Sequence, residues 1–215
     1  MPNKTKKPTW TSVRSKLQQM DTGALIDLLK DMYRASKDNQ HFLHARLLDS
    51  QVELAQYRKL VEDAVYPDWR GQKPVRISDA KRLIRHYRQA TRDIEGTVDL
   101  MLTFVEAGTS QAVNLGYSEG KYFAALERTL DEIDDVFAEL SPQWRSHAAD
   151  RLQEIAFDAK SIGWGYGDYV RGIAARANKA LSSAAGAKRS GARPRLGSSD
   201  GPAPGKMVPH ADEGM

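Results

Sequence analysis

The 215-residue sequence predicts an all-α protein, a single irregular bundle of about eight or nine helices followed by a disordered basic C-terminal tail. Apolar residues recur at the three- and four-residue spacing of amphipathic helices along most of the chain. No window alternates apolar and polar residues over the length of a strand, which argues against β-sheet. The densest apolar run, at 98–105, is far shorter than the roughly 20 residues that a membrane-spanning helix needs, so we expect no membrane contact.

Signals for helix ends divide the first third of the chain into three helices. Asp21 is expected to cap a helix, and a short helix is expected over about 37–48. Ser50 and Glu53 have the spacing of a capping box for a third helix, which Pro67 ends. The first helix carries an apolar stripe that we expect to face the core, made of Leu25, Leu28, Leu29 and Met32.

The remaining helices follow from the same signals. Ser78 is expected to cap a strongly basic helix. The segment 94–107 is apolar almost all round, which is typical of a buried central helix. An acidic amphipathic helix follows, and Ser141 with Pro142 marks the start of the next one. We expect the last helix to end near Leu181.

Composition separates a flexible basic N-terminus (1–10), a helical domain (11–181) and a basic tail (182–215) rich in Ala, Gly, Ser and Pro. The net charge of +4 comes from the two ends, because residues 17–170 carry 19 basic and 25 acidic side chains. The chain has no cysteine, which excludes disulfides and thiolate chemistry and favours a cytoplasmic location. A basic start rich in Ser and Thr is also typical of an organellar presequence.

The segment 161–169 concentrates three glycines and three aromatic residues between two helices. Gly163 is expected to end the preceding helix, with Lys160 and Asp168 placed favourably for the two helix dipoles. A structural turn is the simpler interpretation, and a binding site with an acid is the alternative; a phosphate loop is excluded because no strand precedes it. The candidate site residues here are Asp158, Trp164, Gly165, Tyr166 and Asp168.

Eight Lys and Arg residues lie between positions 70 and 92, opposed by the single acid Asp79. The simpler interpretation is a solvated face that balances the acidic residues after it. The alternative is nucleic-acid binding, although no known nucleic-acid motif accompanies the charge. The candidate nucleic-acid residues are Lys73, Arg82, Arg85, Arg88 and Arg92. The candidate residues for binding another partner are Trp69, Arg70 and Arg76.

Catalytic and metal sites have little support in the sequence. His41 and His44 are spaced so that both could reach one metal ion, with Asp38 or Asp49 as a third ligand, but no known metal motif is present. No nucleophile, base and orienting group can be named together. We therefore expect no catalytic residue, metal or cofactor.

Five segments together resemble a family of uncharacterised bacterial all-helical proteins, a domain of unknown function, over about residues 15–170. They are Leu25-Ile26-Asp27-Leu28-Leu29, Val65-Tyr66-Pro67, Ile77-Ser78-Asp79-Ala80-Lys81, Asp99-Leu100-Met101-Leu102 with Phe104-Val105-Glu106, and Gly163-Trp164-Gly165 with Asp168. Tyr166-Gly167 departs from the small or polar residue that the family has between Gly165 and Asp168. The resemblance implies a shared all-helical fold and no activity.

The sequence as a whole predicts a non-catalytic helical module that binds a protein partner. We expect the binding surface to join the irregular segment 66–77 to the turn around Trp164, because both carry aromatic residues and glycine. Nucleic-acid binding through residues 70–92 and the tail is the first alternative. A small-molecule binder or enzyme at the Gly163–Asp168 turn is the second.

Overall fold

The computed structural model describes residues 7–48, 50–66, 74–116, 120–163 and 165–190, and every regular element within these ranges is helical. The predicted all-α class is confirmed. The helices are α1 (Trp10–Leu17), α2 (Thr22–Ala35), α3 (Lys37–Leu47), α4 (Ser50–Val65), α5 (Ile77–Thr91), α6 (Ile94–Leu115), α7 (Gly120–Val136), α8 (Pro142–Asp158) and α9 (Tyr166–Ser190), with single 3-10 turns at Phe137–Glu139 and Ala159–Ser161. None of these helices has the length and apolar content needed to cross a membrane.

Helix α6 is the centre of the bundle, as its apolar sequence predicts. It buries 14 of its 22 residues, because α4, α5, α7 and α8 all pack against it. α6 is eight residues longer than predicted and ends at Leu115, before Gly116 in the left-handed region at φ 67°. Helix α9 completes the bundle by packing on α7 and α8.

The contacts between helices show that α4, α6 and α8 run in one direction and that α5, α7 and α9 run in the other. As a result, the end of α4 and the start of α9 lie at the same end of the bundle. Asn114, near the end of α6, donates to the Tyr66 hydroxyl at 3.4 Å. One to two turns earlier in α6, Thr109 meets the Tyr166 hydroxyl at 2.8 Å. Tyr66 and Tyr166, which are described residues of the two segments predicted to form one binding surface, therefore lie at the same end of the molecule.

The predicted caps at Asp21 and Ser141 are confirmed, and the one at Ser78 is wrong. The Asp21 Oδ1 accepts from the Ala24 amide at 2.8 Å, and the Ser141 Oγ accepts from the Trp144 amide at 3.4 Å. Ser78 does not cap α5, which begins one residue earlier at Ile77. The entry to α5 is fixed instead by the backbone amide of Arg76, which donates to the Ala64 carbonyl at 2.7 Å.

The two ends of the chain differ most from the prediction. α1 begins at Trp10, inside the predicted flexible segment 1–10, and α9 runs to Ser190, nine residues beyond the predicted end. Residues 182–190 include several alanines, a good helix former, which explains why the helix continues past Leu181. The rest of the predicted tail lies outside the described residues.

The apolar stripe of α2 does not face the core as predicted. Leu28, Leu29 and Met32 remain exposed, and α2 has no buried residue because α3 is the only described helix that it packs on extensively. Periodicity correctly predicted that α2 is amphipathic. It could not predict what covers the apolar side.

Candidate functional site

An open groove of about 680 Å³ lies between α5 and α7, with α6 beneath it. α5 supplies most of one wall, and α7 supplies the other. The lining residues are Ser78, Lys81, Ile84, Arg85 and Arg88 from α5, Met101 from α6, and Thr129 and Glu132 from α7. Two of the candidate nucleic-acid residues, Arg85 and Arg88, are thus brought together on one wall.

The sequence of α5 explains why its basic residues line this groove. Leu83, Ile84 and Tyr87 are buried against the core, as predicted, so the basic residues of α5 lie on its outer side. Lys81, Arg85 and Arg88 are spaced four and three residues apart and therefore form one row along the helix. The buried Met101 gives the groove an apolar floor beneath this row.

Arg88 spans the gap between the two walls. Its Nη2 lies 3.4 Å from the Glu132 Oε2 and 3.7 Å from the Met101 Sδ. The basic face of α5 and the acidic face of α7 therefore meet at this pair. Both side chains are about half exposed, so the pair contributes at most about 1 kcal/mol to stability.

The remaining basic side chains of α5 divide into two groups. Arg82 is turned away from the groove toward two carboxylates, Asp79 at 3.3 Å and Asp38 at 3.6 Å. Among the described residues, Lys81, Arg85 and Arg92 have no acidic partner within ion-pair distance. The rim of the groove is therefore positively charged even though Glu132 stands on its far wall.

A second hollow of about 310 Å³ continues the groove past Arg88 and Met101, toward the start of α6. Its further lining residues are Arg92, Asp93, Ile94, Thr97, Val98 and Val136. Arg92 ends α5 in the left-handed region at φ 57° and stands at the rim. The two hollows together form a long groove with an apolar floor and cationic groups along one side.

The corner between α5 and α6 is held rigid beside this second hollow. Asp93 accepts from the Gly96 amide at 3.0 Å and from the Tyr87 hydroxyl at 2.9 Å. Burial, followed by the bond to Asp93, raises the pKa of Tyr87 well above its usual value. The phenol therefore stays protonated and keeps donating, which holds the end of the groove in place.

The described candidate residues of the 158–168 turn are not gathered into one site. Tyr166 is fully buried, and its hydroxyl meets Thr109, so it packs the core and offers no surface to a partner. Asp168 is exposed and pairs with Arg171 within the first turn of α9. Asp158 is exposed at the end of α8, beside a shallow hollow that Phe157 also lines.

The glycines of this turn have different roles from those predicted. Gly163 does not end α8, because the helix ends at Asp158 and a 3-10 turn follows. Gly165 is the residue in the left-handed region, at φ 77°. Gly167 allows close approach, since a Cβ there would lie 2.6 Å from the carbonyl oxygen of Ala159. A structural turn accounts for both positions.

Four other candidate residues, Trp69, Arg70, Lys73 and Trp164, lie outside the described residues. Arg76 is described: it is exposed and lies 3.6 Å from Asp79. It stands at the same end of the bundle as Gly165. Within the described part of the chain, no hydrogen bond or ion pair joins the two positions, so a shared surface between them stays a prediction.

Sequence analysis missed a buried ionic network centred on Asp99, which is 1% exposed. The Arg151 Nη1 donates to its Oδ1 at 2.8 Å, and the Arg58 Nε donates to its Oδ2. Arg151 also forms a two-bond fork with Glu106, each bond 2.6 Å long. α4, α6 and α8 are thereby tied together. The sequence did contain a signal for this network, because Asp99 is an acidic residue within the densest apolar run.

The network stabilises the charged form of Arg151. Burial opposes the charged form, but the bonds and charges of Glu106 and Asp99 outweigh it and raise the pKa of Arg151. Beside the network, Arg58, Glu106 and Tyr66 line a polar hollow of about 460 Å³ between α4 and α6. With its charges already paired, the network serves to hold the bundle together.

The two histidines predicted as possible metal ligands belong to a different cluster. His44 lies 3.0 Å from the Tyr33 hydroxyl through Nε2 and 3.3 Å from the buried Glu53 through Nδ1. His41 lies 4.0 Å from the same carboxylate. Within the described ranges, no three His, Asp or Glu side chains are arranged to hold a metal ion. Asp49 lies outside those ranges.

Glu53 also departs from its predicted role in a capping box. It points toward the histidines of α3 and is buried there, so it links α3 to α4.

Comparisons with protein-family models, with curated proteins and with solved structures found no match to this chain. The family resemblance therefore stays a prediction.

Proposed function

We propose that the protein is a non-catalytic interaction module that binds an acidic segment of a protein partner in the α5–α7 groove. The observation that carries the proposal is the row of Lys81, Arg85 and Arg88 above the buried floor at Met101. Guanidinium groups bind carboxylates through paired hydrogen bonds. The apolar floor fits a segment that alternates acidic and apolar residues at helical spacing.

Charge in the groove favours a peptide over a nucleic acid. A nucleic-acid footprint needs a continuous basic face, whereas Arg82 faces Asp79 and Asp38, and Glu132 stands within the groove itself. The described lining residues include no aromatic side chain on which bases could stack. Nucleic-acid binding is therefore the outcome that the experiment below must distinguish.

We also propose a cytoplasmic location, which agrees with the absence of cysteine, and membership of the helical family that the sequence resembles. Both are independent of the groove. Neither would supply a catalytic group.

Fluorescence anisotropy with a defined probe tests the groove. The probe is a labelled amphipathic peptide with Glu and Leu at three- and four-residue spacing. We expect Arg85→Glu to weaken its binding about tenfold or more, because repulsion replaces a rim attraction. Lys179→Glu is the matched control, since Lys179 is exposed on α9 and the change in net charge is the same.

A labelled single-stranded oligonucleotide is titrated in parallel. Tighter binding of the oligonucleotide than of the peptide, with a steep loss of affinity as salt rises, would favour the nucleic-acid alternative. Equal weakening of peptide binding by Arg85→Glu and Lys179→Glu would show that net charge alone attracts the peptide. Either result would contradict the proposal.

A further inference from the structure

Helices α1 and α2 form an N-terminal arm, Trp10–Ala35, in which no residue is buried. The arm is fastened to the bundle through α3: Tyr33 meets His44 at 3.0 Å, and the Asn39 side chain donates to the Met32 carbonyl at 2.6 Å. α1 packs extensively against no other described helix. Isolated helices of 8 and 14 residues are marginal in water, so the arm requires cover.

Both helices of the arm carry exposed apolar side chains. In α2, Leu29 is 46% exposed and Met32 is 49% exposed, and in α1, Trp10 is 69% exposed. Leu25, Leu29 and Met32 have the alternating four- and three-residue spacing of helices that pack side by side. Exposed apolar surfaces of this kind mark interaction sites.

We propose that the apolar stripe of α2 pairs with the same stripe in a second copy of the chain, α2 against α2. Five exposed apolar side chains of the arm supply on the order of 500 Å² per copy, an area typical of a weak, reversible interface, since a standard interface takes ~800 Å² per partner. They belong to Trp10, Val13, Leu28, Leu29 and Met32. In such a dimer, the arm of each copy covers the apolar stripe of the other.

The charges of α2 fit a second copy better than a charged partner. Asp27, Lys30, Asp31 and Arg34 lie away from the apolar stripe and sum to zero. Two copies therefore do not repel each other. The helix also offers no excess of one sign to an acidic segment, a basic segment or an anionic lipid surface. The groove proposed above lies on other helices, so the two proposals are independent.

Sedimentation velocity of the full chain tests the pairing. The wild-type chain is expected to sediment as a dimer, with twice the 24.0 kDa mass of one copy. Leu29→Glu is expected to weaken dimerisation about 100-fold, because it would bury a carboxylate in an apolar contact. Lys30→Glu introduces the same residue on the opposite side of α2 and is expected to leave the dimer intact.

Cysteine cross-linking gives a second measurement that does not depend on a disruptive substitution. The natural chain has no cysteine, so any disulfide-linked dimer reports the residue introduced. Leu29→Cys lies near the middle of α2 and is expected to form a linked dimer under mild oxidation, because a disulfide needs Cα atoms about 4.4–6.8 Å apart. Asp27→Cys, on the opposite side, is expected to remain unlinked.

A wild-type chain that remains monomeric up to its solubility limit would overturn the proposal and leave the arm for a different partner. A dimer that survives Leu29→Glu would also overturn it. So would a dimer in which Leu29→Cys and Asp27→Cys link equally well, since the contact would then lie elsewhere.

Discussion

Asp99 shows how one residue can hold three helices. Its carboxylate lies in the core of α6 and accepts from Arg58 of α4 and Arg151 of α8. The desolvation of such a carboxylate is offset only while both cations are present, and the cations depend on it in turn. The network therefore matters most when one member is removed.

We predict that Asp99→Asn lowers the free energy of unfolding by about 3 kcal/mol, because it leaves Arg151 partly buried with less compensation. Urea unfolding followed by circular dichroism measures the loss. Asp150→Asn, at an exposed position on the neighbouring α8, is the control and should change stability by less than about 0.5 kcal/mol. Similar losses in the two variants would contradict the role given to Asp99.

Tyr57 predicts how stability depends on alkaline pH. Burial, together with the charges of Glu53 and Asp38, raises the pKa of Tyr57 to about 12. The unfolded chain loses this proton near pH 10, whereas the folded chain keeps it. The contribution of Tyr57 to the free energy of unfolding should therefore be constant below about pH 10 and fall between pH 10 and 12.

Tyr57→Phe should flatten this alkaline fall while changing stability little at neutral pH, because the Tyr57 hydroxyl has no hydrogen-bond partner within the described structure. Urea unfolding at a series of pH values measures both effects. Tyr87 and Tyr166 also have raised pKa values, so part of the fall should remain. A variant with the full wild-type slope would contradict the assignment.

At the scale of elements, the junction between α8 and α9 depends on one close approach. We predict that Gly167→Ala destabilises the protein by about 1–3 kcal/mol, because its Cβ would lie 2.6 Å from the Ala159 carbonyl oxygen. Gly163→Ala is the matched control, since a Cβ there meets nothing within 4 Å and its φ is not positive. Thermal unfolding of the two variants measures the difference, and equal unfolding midpoints would contradict the prediction.

The helices themselves were predictable from the sequence because their signals are local. Asp21 and Ser141 cap their helices as predicted, since a cap depends on residues two or three positions away. The predicted cap at Ser78 was wrong because a backbone hydrogen bond between Arg76 and Ala64 sets the start of α5. Local sequence patterns do not describe a bond between two helices. The predicted burial of the α2 stripe was wrong for a similar reason, because burial depends on which other helices pack against α2.

At the scale of the whole molecule, the candidate site could be predicted only in part. Arg85 and Arg88 were chosen for their charge, and the groove contains both. That they face Thr129 and Glu132 across Met101 depends on α5 and α7 packing side by side on α6, and the residues are over 40 positions apart. Asp99 was visible as a charge among apolar residues, but its two arginine partners come from helices distant in sequence.

The two proposed surfaces divide the molecule between a rigid body and an arm. The groove lies on α5, α6 and α7, which are anchored in the core, whereas the apolar stripe lies on an arm fastened mainly through α3. A dimer joined through the arm would present two grooves, each on its own rigid body. Binding of a partner with two acidic segments would then gain affinity without new contacts.

The most direct test of the central claim is to map where the acidic amphipathic peptide binds, using amide NMR spectra of the full chain during a titration. The groove predicts that the largest shifts occur at Lys81, Arg85, Arg88, Thr129 and Glu132, with little change along the exposed side of α9. Shifts concentrated outside the groove, or no shifts at peptide concentrations near the millimolar limit of specific binding, would contradict the claim.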